Sequence, residues 1–408
     1  MDNKTMVYVG SWGNVDADGE GKGITVLSFD DNTGEMRVRS LIEDIPEPSV
    51  LTVSRDSGYL YTTNELMTHD GKLLAGGCVT ALKINQKDGS LIRLNTVPSM
   101  GAGPVYCKLD PSGKYLAVTN HGTIDGITKF ARTKEGRFYP ELEWDSSTLA
   151  IFPVNSDGSL SEACDVYTFE GIGSFMYYKD DPARADRHYP GGHQAPYEWL
   201  QLSPHAHSVQ FFGNGYGVVC ERGTDSVYLF EIDSKNNSIR ILDHMTCEIG
   251  SGPRHSVTHP KLPVFYFTNE LENTVTAFGV DFAGRRMKEI QTIATLEDGC
   301  EAVNAPSDIT ISRDGRYIYA GNRGHNSIAV FRADPETGLL ERIQVKELSK
   351  PEPRGFAISP DGRFLVVGNK KFNTVTSLSI DSESGMLSDT GYETEVITPT
   401  CIRFARLA

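Results

Sequence analysis

The sequence predicts an all-β protein, a seven-bladed β-propeller with four-stranded antiparallel blades. Three strand patterns, each repeated seven times along the 408 residues, carry this prediction. The patterns follow one another in a fixed order and recur at roughly 45–55 residues, which is the spacing of propeller blades. Because this one repeat architecture spans the chain, we expect a single domain over residues 1–408.

The first pattern begins with proline and continues into a short strand. A tight-turn signal follows most copies, as in Asp314-Gly315 and Asp361-Gly362. Such residues tolerate a positive φ and join the two strands of a hairpin. The seven copies begin at Pro48, Pro104, Pro204, Pro253, Pro306, Pro353 and Pro399.

The second and third patterns are apolar strands rich in branched and aromatic residues, which favour β-structure. The second pattern mostly ends in asparagine, as in Tyr317-Ile-Tyr-Ala-Gly-Asn322. The third is followed by a turn, after which we expect a more polar fourth strand. The third-pattern strands start near Ile24, Cys78, Leu149, Val227, Val275, Ile328 and Val375.

The two ends of the chain indicate how the ring closes. The chain begins with a second-pattern strand at Met6, and the first-pattern strand that this blade lacks appears last, at residues 399–404. We therefore expect the C-terminal strand to complete the first blade. A ring closed in this way leaves no open sheet edge.

Composition argues against several classes of protein. The formal net charge of −15 does not suit a nucleic-acid partner, which requires a basic surface. The first residues lack the apolar segment of a signal peptide, and no apolar run approaches bilayer length. The seven scattered cysteines form no CxxC pair, which is typical of reduced thiols. We expect a cytoplasmic protein without membrane contact, and no phosphate-loop or dinucleotide fingerprint predicts a cofactor.

Two stretches interrupt the repeat, at about residues 122–146 and 172–202. The second combines aromatic and charged residues, among them Tyr189, His193 and Trp199. Loops of this length within a compact fold usually serve as lids, binding loops or contact surfaces. A packed surface excursion is the alternative. Both stretches should overhang the same mouth of the central channel.

That mouth is predicted to carry the chemistry. The first strand of each blade starts there and the second strand ends there, so the residues at these points should ring the opening. Five cations are expected in the ring, namely Arg222, Arg254, Arg323, Arg354 and Lys370. Two acids and two histidines are expected beside them, namely Glu65, Glu270, His121 and His205.

The excess of cations in this ring indicates a small anionic ligand, because guanidinium groups bind carboxylate or phosphate in a bidentate manner. Histidine and glutamate supply general acid or base groups. A ring whose charges only pair with one another is the alternative. His207 lies two residues beyond His205 and should face the same side. No spacing is diagnostic of a metal site, so none is expected, and His255 and His259 are assigned structural roles.

Short motifs spread over five blades resemble one known family. They read Gly101-Ala-Gly-Pro104, Pro204-His-Ala-His207, Gly250-Ser-Gly-Pro-Arg-His255, Asn269-Glu-Leu271, Asn322-Arg-Gly-His325 and Pro353-Arg-Gly-Phe356. Together they resemble the seven-bladed propeller lactonases, which include the propeller-type 6-phosphogluconolactonases and the carboxy-cis,cis-muconate lactonizing enzymes. The two long inserts and the pair Glu221-Arg222, where other blades carry asparagine, depart from the family pattern.

The resemblance implies an active site of histidine, glutamate and arginine at the channel mouth. By motif, the catalytic residues are His205, Arg254, Glu270 and Arg323. The remaining ring residues are expected to bind substrate, namely His207, Arg354, Lys370, His121, Glu65 and Arg222. Whether His205, His207 or Glu270 transfers the proton stays open.

The implied activity is hydrolysis of an anionic sugar-acid lactone such as 6-phosphogluconolactone. The same side chains could serve a lactonizing cycloisomerase that acts on carboxymuconate, because fold alone does not fix the reaction. A non-catalytic propeller that binds a partner through its inserts is the alternative from another class.

Overall fold

The computed structural model describes residues 4–13, 21–69, 72–73, 76–123, 126–178, 200–300 and 302–408. Within these ranges the chain forms seven four-stranded antiparallel sheets and two small two-stranded ribbons. The seven large sheets confirm the predicted propeller blades in number and in strand count.

Among the first three blades, blades 2 and 3 each contain one of the two ribbons as an insertion between the second and third strands. Blade 1 contains β1 (Thr5–Ser11), β2 (Ile24–Phe29) and β3 (Met36–Ile42). Blade 2 contains β4 (Pro48–Val53), β5 (Tyr59–Asn64), the ribbon β6 (Thr68–His69) and β7 (Lys72–Leu73), β8 (Cys78–Ile84) and β9 (Leu91–Pro98). Blade 3 contains β10 (Pro104–Leu109), β11 (Tyr115–Asn120), the ribbon β12 (Gly126–Arg132) and β13 (Phe138–Trp144), β14 (Ser147–Pro153) and β15 (Asp165–Phe169).

The other four blades follow the repeat without such ribbons. Blade 4 contains β16 (Ala206–Phe211), β17 (Tyr216–Glu221), β18 (Ser226–Asp233) and β19 (Ser238–Thr246), and blade 5 contains β20 (Pro253–Thr258), β21 (Val264–Asn269), β22 (Thr274–Asp281) and β23 (Arg286–Ala294). Blade 6 contains β24 (Ala305–Ile311), β25 (Tyr317–Arg323), β26 (Ser327–Ala333) and β27 (Leu340–Glu347). Blade 7 contains β28 (Pro353–Ile358), β29 (Phe364–Asn369), β30 (Thr374–Ile380) and β31 (Leu387–Glu395), and β32 (Pro399–Arg406) ends the chain.

The C-terminal strand closes the ring as predicted. β32 pairs with β1 in antiparallel register, from Thr5 opposite Arg406 to Gly10 opposite Cys401. The inner strands β4, β10, β16, β20, β24, β28 and β32 each contact the next, and β32 contacts β4. Since both ends of the chain contribute to blade 1, closure removes the unpaired inner edge that this blade would otherwise expose.

The aromatic residues of the second strands fasten each blade to its neighbour. The Tyr266 hydroxyl donates to the carbonyl oxygen of Gly338 at 2.7 Å, and the Tyr319 hydroxyl donates to that of Gly385 at 3.0 Å. Both glycines adopt a φ of 74° in the turn after a third strand. A Cβ on Gly338 would lie 2.9 Å from the Tyr266 hydroxyl oxygen. The turn glycine is therefore required by its own conformation and by the neighbouring blade.

A β-bulge interrupts the pairing of the first and second strands near the predicted mouth. In blade 5 the register passes from Pro253 opposite Asn269 to Ser256 opposite Phe267. Similar irregularities occur in blades 2, 3, 4, 6 and 7. A bulge re-aims the side chains on the bulged strand, so strict alternation does not predict which residues face the channel there.

The two long inserts differ in how much of them the structure describes. In the first, β12 and β13 form a hairpin on which Phe130 and Phe138 are 79% and 72% exposed. The second contains α1 (Phe175–Tyr178), and its residues 179–199 lie outside the described part of the chain. Its role as a lid or contact surface stays a prediction. Among the described residues, no helix is both long and apolar enough to cross a bilayer.

Candidate active site

A cavity of about 260 Å³ lies at the mouth where the inner strands begin. Six of the predicted ring residues line it, namely Glu65, His121, His207, Arg222, Arg254 and Arg354. The other four predicted residues, His205, Glu270, Arg323 and Lys370, are buried around it without lining it. The ten predicted residues therefore lie close together, but six of them line the cavity and four are buried around it.

Glu270 anchors three arginines behind the cavity. Arg222 donates from Nη1 to Oε2 of Glu270 at 2.6 Å, and Arg254 donates from Nε to Oε1 at 3.1 Å. Arg323 donates from Nη2 to the same Oε1. Glu270 and the three arginine side chains are almost fully buried. One carboxylate cannot neutralise three guanidinium groups, so this cluster holds an excess of positive charge beside the cavity.

Backbone carbonyl groups fix the same arginines in place. Arg254 donates from Nη1 to the carbonyl oxygen of Ser307, and Arg323 donates from Nε to that of Ala305, both at 3.1 Å. Arginines held in this way need little reorganisation when an anion arrives. The arrangement suits a charge that develops on the substrate during reaction.

The second strand of blade 4 ends in Glu221, whereas most of the other blades have asparagine at this position. Glu221 orders the loop that carries Arg222. The Glu221 carboxylate accepts hydrogen bonds from the backbone N–H groups of His205, Gly223 and Thr224. Its side chain is buried, and burial raises the pKa of this carboxyl. The glutamate thus fixes the turn after β17, from which Arg222 extends to Glu270.

The histidines at the mouth have different surroundings. His121 and His205 stack with ring centroids 4.2 Å apart. His205 is bonded at both ring nitrogens, to the carbonyl oxygen of His121 at 2.9 Å and to Ser203 Oγ at 3.3 Å. His207 meets His121 edge-on at 5.8 Å and lines the cavity. His205 and His207 therefore do not share one role, although alternation predicted the same orientation.

Arg222 also sets the protonation state of His121. Because a guanidinium group only donates, Nε2 of His121 must accept the hydrogen bond from Arg222 Nη2. Burial, His205 and Arg222 hold the pKa of His121 well below its usual value. Burial and the cations Arg254 and Arg222 do the same for the pKa of His207. Both imidazoles are therefore neutral at neutral pH.

One residue that the sequence analysis assigned a structural role lines the cavity. His255 follows Arg254 directly, and both line the cavity because they lie in the β20 bulge. The Nδ1 atom of His255 lies 2.9 Å from Oδ1 of Asp308. The motif Gly250-Ser-Gly-Pro-Arg-His255 was the available signal, but neither the bulge nor Asp308 could be inferred from it.

Trp12 forms the opposite side of the cavity with two cations above its ring. The Arg354 guanidinium carbon lies 3.8 Å and the Lys370 ammonium nitrogen 4.8 Å from the ring centroid. The indole donates from Nε1 to Oε2 of Glu65 at 3.1 Å, and burial raises the pKa of this carboxyl. Lys370 lies 3.7 Å from Glu352. Cation–π contact thus holds Arg354 at the cavity wall.

No group of three or more His, Cys, Asp or Glu side chains in the described part of the chain is arranged to hold a metal ion.

Comparison with known proteins identifies the class to which this fold and cavity belong. The profile of a family described as "Lactonase, 7-bladed beta-propeller" matches residues 6–404. The chain therefore belongs to the seven-bladed β-propeller lactonase family, and it is an enzyme that hydrolyses lactones.

Individual relatives cover most of the chain. The 6-phosphogluconolactonase of Formosa agariphila is 28% identical over 83% of this chain and 82% of its own length. The 6-phosphogluconolactonase of Bacillus subtilis is 25% identical over 86% of this chain and 84% of its own. Among solved structures, the periplasmic gluconolactonase of Pseudomonas aeruginosa is similar with a TM-score of 0.79, at 25% identity and 99% coverage of both chains.

Proposed function

We propose that the protein hydrolyses 6-phosphogluconolactone to the open-chain acid. The observation that carries the proposal is the cationic lining of the cavity, where Arg222, Arg254 and Arg354 face one carboxylate, Glu65. Three guanidinium groups around a small cavity suit a substrate that carries a phosphate and generates a second negative charge during reaction. The names of the relatives in Formosa agariphila and Bacillus subtilis support the same substrate.

The positions of the arginines in the lining support a separate role for each of them. Water attacks the lactone carbonyl carbon, and the carbonyl oxygen becomes an oxyanion that Arg222 and Arg254 stabilise. Arg354, on the other side of the cavity, binds the phosphate. Glu270 acts as a positioning residue, because it accepts hydrogen bonds from Arg222 and Arg254 without lining the cavity, and Arg323 positions Glu270 in turn by donating to its carboxylate.

The test is loss of freshly prepared 6-phosphogluconolactone, measured against its spontaneous hydrolysis. We expect clear acceleration by the purified protein. Arg254→Ala should lower kcat/KM by roughly 10²–10³-fold, the usual cost of removing an oxyanion donor. Arg316→Ala provides a matched control, because this exposed arginine lies outside the cavity, where it pairs with Asp314 and donates to the carbonyl oxygen of Ser382.

The phosphate role is tested separately with glucono-lactone, which lacks the phosphate. Arg354→Ala should raise KM for the phosphorylated lactone by about tenfold or more, in line with a charged hydrogen bond, and leave KM for glucono-lactone within about threefold. Equal effects on both lactones would contradict the assignment of Arg354. No acceleration of either lactone by the unaltered protein would contradict the proposed function.

We also propose that the protein works in the cytoplasm. Cys107, Cys220 and Cys401 are buried free thiols, and Cys300 is an exposed one. Free thiols are typical of proteins from a reducing compartment. Fractionation of the source cells with an antibody to the protein tests this location, and recovery in an extracytoplasmic fraction would contradict it.

A further inference from the structure

One histidine of the cavity has an anionic partner. His255 Nδ1 lies 2.9 Å from Oδ1 of Asp308, and the two side chains are only 10% and 9% exposed. The carboxylate is itself fixed by backbone donors, since Oδ1 accepts from the N–H of Ile309 at 3.0 Å and Oδ2 from that of Phe356 at 3.2 Å. Both oxygen atoms of Asp308 therefore have defined partners, and the hydrogen bond to Asp308 fixes the orientation of the His255 ring.

The charge of Asp308 determines which nitrogen of His255 carries the proton. Burial opposes ionisation of Asp308, but the hydrogen bond from His255, the charge of Arg403 and the hydrogen bond from the backbone N–H of Phe356 outweigh it and lower the pKa of this carboxyl. An ionised carboxylate only accepts, so Nδ1 of His255 is the protonated nitrogen. The lone pair is then on Nε2, which makes no hydrogen bond among the described residues, while the ring lines the cavity.

The other three histidines at the mouth, His121, His205 and His207, have different hydrogen-bond partners and surroundings. Nε2 of His121 already accepts a hydrogen bond from Arg222, and both ring nitrogens of His205 are bonded. His207 lies beside Arg254 and Arg222, which disfavour a proton on its ring, and its Nδ1 makes no hydrogen bond within the described structure. His255 instead has a carboxylate, that of Asp308, hydrogen-bonded to its ring, and this carboxylate would stabilise the imidazolium formed when His255 accepts a proton.

We propose that His255 is the general base and acid of lactone hydrolysis and that Asp308 is its positioning residue. This inference rests on the proposed function. His255 Nε2 takes a proton from water while the water oxygen bonds to the lactone carbonyl carbon. When the tetrahedral intermediate collapses, the bond from that carbon to the ring oxygen breaks. The same Nε2 returns the proton to the ring oxygen, which leaves as a hydroxyl group, so one water is consumed per lactone opened.

The surroundings of His255 are consistent with this cycle. Burial, followed by the charge of Arg254, lowers the pKa of His255 to about 4, while Asp308 acts in the opposite direction and Arg354 adds to the lowering. The ring is therefore neutral and able to accept a proton at neutral pH. An anionic lactone bound to Arg254 and Arg354 would offset these two cations and make the ring more basic when substrate is present.

Steady-state kinetics on the full chain test the proposal. His255→Gln should lower kcat for 6-phosphogluconolactone by about 10²–10⁴-fold, the contribution of a general base, and Asp308→Asn should lower kcat at least about tenfold with KM changed less than threefold. Added imidazole should restore part of the activity of His255→Ala. His244→Gln is the matched control, since this exposed histidine stacks on Tyr228 outside the cavity, and the activity of this variant should equal that of the unaltered protein.

The outcomes separate this inference from the proposed function. An active unaltered protein whose His255→Gln and Asp308→Asn variants keep kcat within about threefold would overturn the base assignment alone. An unaltered protein that accelerates no lactone would overturn both proposals. Nitrogen-15 NMR of labelled histidine gives a readout that does not require activity: we expect His255 to be protonated at Nδ1, and a ring protonated at Nε2 would overturn the inference even if a variant failed to fold.

Discussion

At the residue scale, the cluster of Glu270 with Arg222, Arg254 and Arg323 shows how charge is retained in a buried place. Removing water from four ionised groups is unfavourable unless each is paired and hydrogen-bonded. The single carboxylate contributes one negative charge to three guanidinium groups, and backbone carbonyl oxygens supply further acceptors. The positive charge left over is the property that an anionic substrate requires.

This view predicts that Glu270→Gln mainly destabilises the protein. The variant should lose about 3–5 kcal/mol of the free energy of unfolding, because three buried guanidinium groups lose the carboxylate that they share. Urea unfolding measures the change. Asp389→Asn is the control, since it breaks an exposed pair with Lys346 and should cost at most about 1 kcal/mol. A Glu270→Gln variant that keeps the stability of the unaltered protein would contradict this view.

The sequence predicted which residues lie at the channel mouth, but it did not predict which of them line the cavity and which hold the lining residues in place. Arg254 and Arg354 directly follow the prolines of first-pattern strands, and Arg222 and Glu270 directly follow the ends of second-pattern strands. These positions were enough to predict that the four residues lie at one mouth. It could not show that Glu270 faces three arginines, because that depends on side-chain direction across blades. His255 was missed for a similar physical reason: strict alternation turns it away from Arg254, and the bulge in β20 brings both to the cavity.

At the element scale, each blade is held to the next by its second strand as well as by apolar packing. Tyr266 and Tyr319 of these strands are buried, and their hydroxyl groups reach the turns of the neighbouring blade. The aromatic pattern and the Thr-Gly or Ser-Gly turn were both visible in the sequence. Their pairing was not, since it joins residues that lie 66 to 72 positions apart.

The contact between blades 6 and 7 can be tested by removing one hydroxyl group. Tyr319→Phe should lower the free energy of unfolding by about 1–3 kcal/mol, because the buried carbonyl of Gly385 loses its donor while the ring packing is unchanged. Urea unfolding is again the measurement. Tyr392→Phe alters a tyrosine that is 38% exposed and should change the stability by less than about 0.5 kcal/mol. Equal costs at both positions would show that the hydroxyl contact is not the source of the effect.

At the scale of the whole molecule, the channel mouth makes stability depend on pH. Burial and neighbouring arginines hold His121, His207 and His255 neutral in the folded protein, whereas the unfolded chain titrates near pH 6.5. The unfolded state therefore binds more protons below that pH. The stability that these histidines contribute is complete above about pH 6.5 and is lost as the pH falls toward their folded values. Three buried carboxyls with raised pKa values, Glu65, Glu221 and Asp225, act in the opposite direction.

Because these opposing groups overlap, the contribution of one histidine is best measured as a difference between two proteins. With a folded pKa of about 4, His255 should account for about 2 kcal/mol of the stability lost between pH 7 and pH 5. His255→Gln removes this titration and leaves the carboxyls in place, so the variant should lose about 2 kcal/mol less than the unaltered protein over the same interval. Urea unfolding of both proteins at the two pH values measures the difference. Equal losses would mean that His255 is already protonated in the folded state at pH 5, and its lone pair would then be unavailable for a base in mildly acidic solution.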